Sequence, residues 1–503
     1  MISLFITLLV SQGLFAKTYG GTNYDRSAFV IQTSDGGYAV AGWSQSFGAG
    51  NGDFMVLRLA SDGSLTWART IGGGSADWAY SIVQTTDGGF AVAGLTYSYG
   101  GGNGDFFVIK LASDGSLTWA RTFGGTGADA AYSMVQTADG GYAVAGATAS
   151  YGAGNNDFMI LKLNPDGSPA WARTYGGANR DDAWSIIQTP DGGYAVLGWC
   201  WSFGAGSADF LLLKLDASGN ISWAKTYGGD STEWGYSIIR TSDGGYAIGG
   251  NSYSFSQQGV VVLKLNASGD LLWTKRLWGN ALRTLIQTSD GGYAFAGAHS
   301  NFPIYKLDAS GNFSWARIFG GSSDFAYSVF QTSDNGYALA GEVSSYGAGL
   351  LDFMLLKVDQ NGNYPGCVST YSSAVSNYSF TTGSPSVIDG TPAVGTTTPS
   401  PTVTTPGLTI VNACSPVGTE EFEPGKSRPW ITCSPVSGGV LFISAEETGI
   451  RIYAVDGKLA YAGQLQKGEN RIGLETGVWL WTAGAVGAGP CSCPVYKGKA
   501  VVR

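Results

Sequence analysis

One ten-residue stretch, Thr85-Thr86-Asp87-Gly88-Gly89-Phe90-Ala91-Val92-Ala93-Gly94, restricts what this chain can fold into, because close copies recur through most of its length. The aspartate of each copy stands at Asp35, Asp87, Asp139, Asp191, Asp243, Asp290 and Asp334. The first four intervals are 52 residues each, and the last two are 47 and 44. A tryptophan keeps the same register at Trp67, Trp119, Trp171, Trp223, Trp273 and Trp315. Self-similarity at a fixed period of this size specifies a repeat architecture.

Within one unit, Tyr80–Thr85 reads as a short strand and Thr86-Asp87-Gly88-Gly89 as a tight hairpin turn, since Asp and Gly tolerate positive φ. Phe90–Thr96 is a second strand, and Tyr99–Gly104 a longer glycine loop. Asp105–Leu111, the turn Ser113-Asp114-Gly115-Ser116 and Leu117–Phe123 complete four strands with no helical period. Seven four-stranded units predict an all-β chain whose repeats form a seven-bladed β-propeller. The alternative, an open solenoid, needs capping repeats at its ends. The seventh repeat instead lacks its Trp-Ala-Arg-Thr strand, and Ala16-Lys17-Thr18-Tyr19-Gly20-Gly21 matches Ala172-Arg173-Thr174-Tyr175-Gly176-Gly177. The N-terminal strand is therefore expected to complete the last blade and close the ring, which removes exposed sheet edges.

Chemistry is constrained mainly by what is missing. The net charge of −9 argues against nucleic acid as a partner. With His299 as the one histidine, a multi-His copper or zinc centre is impossible, and no nucleophile elbow accompanies that residue. No catalytic residue is assigned. Two sets of acids recur in register: Asp25, Asp77, Asp129, Asp181, Glu233 and Asp324 in the blade-to-blade loops, and Asp53, Asp105, Asp157, Asp209 and Asp352 in the glycine loops. Propeller topology puts both sets on one face, opposite the tight hairpins, so an acidic surface is expected there, able to attract cations or basic ligands. The same acids also suit a scaffold role, bonding nearby backbone N–H groups to fix the turns. No cofactor or metal is assigned, and calcium is the cation left open for that face. His299 lies in the trimmed sixth repeat, where broken symmetry makes it a binding candidate.

The flanking segments differ in character. Residues 1–16 carry an apolar run ending in a small residue, the pattern of a secretory signal peptide, although no Lys or Arg precedes the run. The propeller is expected over 17–366 and a Ser/Thr/Pro-rich linker or stalk over 367–433. Cys367 and Cys414 bracket much of that stretch, and export would permit a disulfide between them. Residues 434–503 regain short strands between turns, a small β-sandwich pattern.

Two resemblances add expectations. Leu215-Asp216-Ala217-Ser218-Gly219-Asn220-Ile221-Ser222-Trp223 and Leu307–Trp315 resemble the tryptophan-bearing repeats of quinoprotein-like propellers, and the Gly-Gly-aromatic step resembles kelch repeats. The first resemblance implies tryptophans docked between blades, without the residues that would hold a quinone. Ile452-Tyr453, Asp456-Gly457-Lys458-Leu459, Gly468-Glu469-Asn470, Gly477-Val478-Trp479-Leu480 and Gly498-Lys499-Ala500-Val501-Val502 resemble the C-terminal sorting domain of type IX secretion substrates, departing from it between Val486 and Tyr496. That resemblance implies type IX-like secretion machinery as a partner and a secreted or cell-surface location outside the outer membrane. Beyond the N-terminal run no stretch is long and apolar enough to span a bilayer, so no transmembrane segment is expected in the mature chain. Together these readings suggest a non-catalytic binding or adhesion module for an unknown glycan or protein ligand. An extracellular carbohydrate-active enzyme using carboxylates on the loop face is the alternative.

Overall fold

The computed structural model describes residues 13–364, except 255–257, 279–281, 298–300 and 322, and thirteen short strands between Ser369 and Thr482. His299, Cys367 and Cys414 lie outside the described residues. Seven antiparallel sheets form the blades of a propeller. The second blade is representative: Asp77–Gln84, Phe90–Thr96, Asp105–Leu111 and Leu117–Gly124 follow one another from the central channel outwards.

The recurring hairpin is held by local chemistry. Gly88 sits at φ 80°, and the Asp87 carboxylate accepts hydrogen bonds from the Thr85 hydroxyl and from the Gly89 N–H at 3.0 Å. The third strand sends Lys110, almost wholly buried, back to this turn, where its ammonium lies 3.0 Å from Asp87 and donates to the Leu111 carbonyl at 3.1 Å. All seven blades repeat the ion pair, with Arg58 replacing lysine in the first. Inside the blade, Gly94 is obligatory for space. A Cβ there would stand 2.0 Å from the Trp78 carbonyl oxygen and 2.8 Å from Phe54 of the preceding blade.

The ring closes as the sequence indicates. Phe15–Gly20 pairs antiparallel with Asp352–Val358, with Ala16 opposite Leu356 and Tyr19 opposite Phe353. Tryptophans seal the blade junctions. Trp67 donates from Nε1 to the Ser113 carbonyl of the next blade at 3.0 Å and meets Phe90 edge-on at 5.7 Å. Trp119, Trp171, Trp223, Trp273 and Trp315 repeat the edge-on contact with Tyr142, Tyr194, Tyr246, Tyr293 and Tyr337. The seventh wedge is Phe15, edge-on to Tyr38 at 5.6 Å and lying against Gly63. The closing strand thus begins inside the 1–16 span.

Each blade also carries a fifth, outermost strand drawn from residues 369–412, the stretch expected as linker or stalk. Ser369–Tyr371 joins blade 6, and Val375–Asn377, Thr381–Gly383, Ile388–Gly390, Gly395–Thr397 and Thr402–Thr404 join blades 5, 4, 3, 2 and 1 in turn. Thr409–Asn412 then pairs with the N-terminal strand on blade 7. The chain therefore returns around its own propeller as a belt. Met1–Cys414 forms one compact unit and Ser415–Arg503 another. In the second, Ser434–Val436, Gly439–Glu446, Gly449–Tyr453 and Leu459–Gly463 form an antiparallel sheet, and Asn470–Gly473 pairs with Trp479–Thr482. Among the described residues no helix is long and apolar enough to cross a membrane.

Candidate functional site

The two recurring sets of acids do meet on the face opposite the hairpins, but they point inward. Asp25, Asp77, Asp129, Asp181, Glu233 and Asp324 are 0% exposed, and Asp53, Asp105, Asp157, Asp209 and Asp352 are 1–2% exposed. Each of the first set ties its loop together. Asp77 accepts from the Gly73 N–H at 2.9 Å, the Ser98 hydroxyl at 2.8 Å and the Thr96 hydroxyl. Glu233 does the same with the Gly229 N–H and the Ser252 and Ser254 hydroxyls, and Asp324 with the N–H groups of Gly321 and Ser344. In the second set, Asp53 Oδ2 accepts from Ala49 and Gly50, while its Oδ1 is buried with no hydrogen-bond partner.

The two sets pair across five of the seven junctions, each time around a glycine. A Cβ on Gly72 would stand 1.8 Å from Asp53 Oδ1 and 2.6 Å from Asp77 Oδ2, and Gly20, Gly124, Gly176 and Gly228 occupy the matching places. The Gly-Gly at these five places therefore makes room for two carboxylates. Burial first, then the neighbouring carboxylate, pushes Asp53, Asp105 and Asp157 up to about 6 and Asp209 up to about 7. These acids knit the loop face; they do not form its surface.

What that face presents is a central channel of about 1060 Å³, lined by the innermost strands. Its wall is built by one irregularity repeated in every blade. Pairing of the innermost strand with the second slips by one residue, between Ala79 and Ser81 in blade 2, and the extra residue is Tyr80. A bulge of this kind re-aims a side chain. The extra residues are Ala28, Tyr80, Tyr132, Trp184, Tyr236, Arg283 and Tyr327 in blades 1 to 7, and all seven line the channel. They form an aromatic collar: Tyr132 stacks on Trp184 at 4.3 Å and 3°, Tyr80 meets Tyr132 at 5.4 Å, and Trp184 meets Tyr236 edge-on at 5.1 Å. Arg283 lays its guanidinium over Tyr236, 4.2 Å from the ring centre.

Serines one residue beyond the collar fasten neighbouring blades. Ser81 accepts from Met134 N–H at 3.1 Å, Ser133 from Ile186 at 3.2 Å, Ser185 from Ile238 at 3.3 Å and Ser237 from Leu285 at 3.0 Å. The mouth adds a charged group where blades 7 and 1 meet, and blade 4 carries a similar one, with Arg180 paired to Asp182 at 2.8 Å and lying over Trp199. Arg26 lies 3.0 Å from Glu342, which also accepts from the Tyr327 hydroxyl at 2.8 Å, and Arg26 covers Trp43. Burial raises the Glu342 pKa. Glu342 is the one carboxylate among the lining residues. A wall of aromatic faces, phenol hydroxyls and a few fixed charges suits a ring-shaped ligand with apolar faces and polar edges.

None of these wall residues was a sequence candidate. The signal available for them was an aromatic at this position in five of the seven repeats, but the second position of the same strand, with Arg26, Trp78, Ala130, Asp182, Trp234 and Phe325, varies more and masks it. Among the described residues, no group of three or more His, Cys, Asp or Glu is arranged to hold a metal ion.

Comparison with known proteins extends the fold and stops there. The model of a β-propeller domain of unknown function, DUF5122, matches residues 33–65, 87–117 and 137–169. No curated protein matches the chain. Among solved structures, a Bacteroides caccae protein of unknown function is 11% identical with a TM-score of 0.34, covering 60% of this chain and 93% of its own. The Pan2 WD40 domain of Neurospora crassa is 10% identical with a TM-score of 0.41, covering 67% and 90%. Sqt1 of Chaetomium thermophilum is 12% identical with a TM-score of 0.41, covering 71% and 87%. The chain is a seven-bladed β-propeller repeat protein, similar in three of its repeats to DUF5122 propellers.

Proposed function

We propose that the chain is a non-catalytic binding module displayed outside the cell, and that it holds a glycan in the central channel. The observation that carries this reading is the collar of Tyr80, Tyr132, Trp184, Tyr236 and Tyr327, with Trp43 and Trp78 also on the wall. Sugar rings offer C–H faces that pack on aromatic rings and hydroxyl edges that exchange hydrogen bonds with phenols and charged groups. The recurring carboxylates are committed to loop structure, so the reading uses none of them for catalysis. Export rests on the leader-like 1–16 segment and on the resemblance of residues 434–503 to a type IX sorting domain.

Binding is tested by titrating the full chain with a panel of oligosaccharides and following tryptophan fluorescence. Saturable quenching that Trp184→Ala abolishes is expected. A panel with no binder overturns the reading, and robust turnover of any member converts it into an enzyme. Export is tested separately by fusing residues 416–503 to a reporter in a host with a type IX system; a reporter that stays periplasmic refutes the sorting role.

A further inference from the structure

The collar changes chemistry at one blade. Where five blades present Tyr or Trp, blade 6 presents Arg283. The channel wall has two cations, Arg26 and Arg283, and Arg26 is matched by Glu342. Arg283 has no carboxylate partner among the described residues; it lies over Tyr236 and, at 5.7 Å, over Trp184. An anion in the channel supplies the missing counter-charge to this half-buried side chain, and in a chain of net charge −9 the unpaired cation is a local inversion of sign.

We propose, building on the glycan reading above, that the channel selects an acidic saccharide, a hexuronate residue whose carboxylate pairs with the Arg283 guanidinium while its ring lies against the collar. The test compares a uronate oligosaccharide with its neutral parent of the same linkage, by calorimetric titration of the full chain. The uronate is expected to bind at least tenfold more tightly, with affinity falling as salt rises. Arg283→Met should erase that preference yet keep the weaker neutral binding, and Arg283→Lys should retain part of it. Equal affinities of the unmodified protein for the two sugars would overturn the acid-selective site and leave the glycan reading intact. Failure of both to bind would overturn both readings.

Discussion

The two faces of the ring are built from the same seven repeats yet have had opposite fates. On the hairpin face every blade keeps its Lys–Asp or Arg–Asp pair, and at six of the seven junctions neighbouring blades are joined by a glutamine. The Gln84 side-chain carbonyl accepts from the Ser34 N–H at 2.8 Å, Gln136 from Thr86 at 2.9 Å, and Gln188 from Ala138 at 2.9 Å. At the channel the blades diverge to Ala28, Tyr80, Trp184 and Arg283 at one equivalent position. A side chain in the hairpin network answers to partners in its own blade and the next, so a change there strands a buried group. The bulge residue aims at open space and is free to vary. Constancy in this protein marks structural obligation, and divergence marks the place where a ligand can be told apart.

The contrast breaks first if the ring is not closed by its N-terminal strand, which both faces share. A chain beginning at Gly21 would lose a strand paired on both sides, the Phe15 wedge and the buried Tyr19, whose hydroxyl donates to the Gly63 carbonyl. The melting midpoint should fall by about 10 °C or more. An unchanged calorimetric transition would show that closure is dispensable.

A pair of single substitutions sharpens it. Lys162→Ala removes a cation that is 8% exposed along its side chain and bonds both Asp139 and the Leu163 carbonyl. It should cost about 2 kcal/mol in chemical denaturation and leave ligand affinity alone. Trp184→Ala, in the half-buried collar, should change stability by only about 1 kcal/mol and abolish binding. The reverse outcome would mean the two faces have been assigned the wrong roles.

The faces should also separate along the pH axis. On the hairpin side, the Lys214 ammonium and then the Thr189 hydroxyl hold Asp191 down to about 2. Such a group binds its proton more weakly folded than unfolded, so its contribution is present above about pH 4 and is lost as pH falls towards 2. On the loop side, Asp209 is raised by burial to about 7. Between about pH 4 and pH 7 the folded state holds more protons there than the unfolded chain, so stability falls as pH rises through that window. Asp209→Asn should make the upper limb shallower, the rest of its slope belonging to Asp53, Asp105 and Asp157, and raise the midpoint at pH 8 by about 2 °C or more. A slope between pH 5 and pH 7 equal to that of the parent protein would break the assignment.

How much of this was legible in the sequence follows the range of the interactions. The Asp-Gly-Gly hairpins, the strand order and the closing strand are local chemistry or repeat counting, and both can be read along the chain. The loop-face acids were placed on the correct side, but Asp53 and Asp77 fold inward around Gly72, a packing outcome that composition does not encode. The collar depends on a bulge between Ala79 and Ser81 that alternation alone cannot locate. The seventh wedge hid because Phe15 stands where six blades have Trp. The belt left a signal that went unread: Pro385, Pro392, Pro399 and Pro406 are spaced by seven, the same step as the strands that follow.

The smallest expected effect tests the rule that the hairpin face does not diverge, at the one junction where it has. Six junctions carry the glutamine bridge, the other three joining Gln287 to Ser242 at 2.8 Å, Gln331 to Ser289 at 2.7 Å and Gln32 to Ser333 at 3.1 Å. Between blades 4 and 5 the donor position is Pro190, which has no N–H, and the acceptor position is Arg240. The two departures are complementary, since a glutamine facing a proline would keep an unmet carbonyl. Pro190→Thr or Arg240→Gln alone should therefore gain nothing, whereas together they restore the bridge used by the other six junctions. A double-mutant cycle in urea should give a favourable coupling of about 0.5–1 kcal/mol. Strict additivity would mean that this junction diverged for a reason other than its missing hydrogen bond, and would remove the claim that constancy on this face is enforced pair by pair.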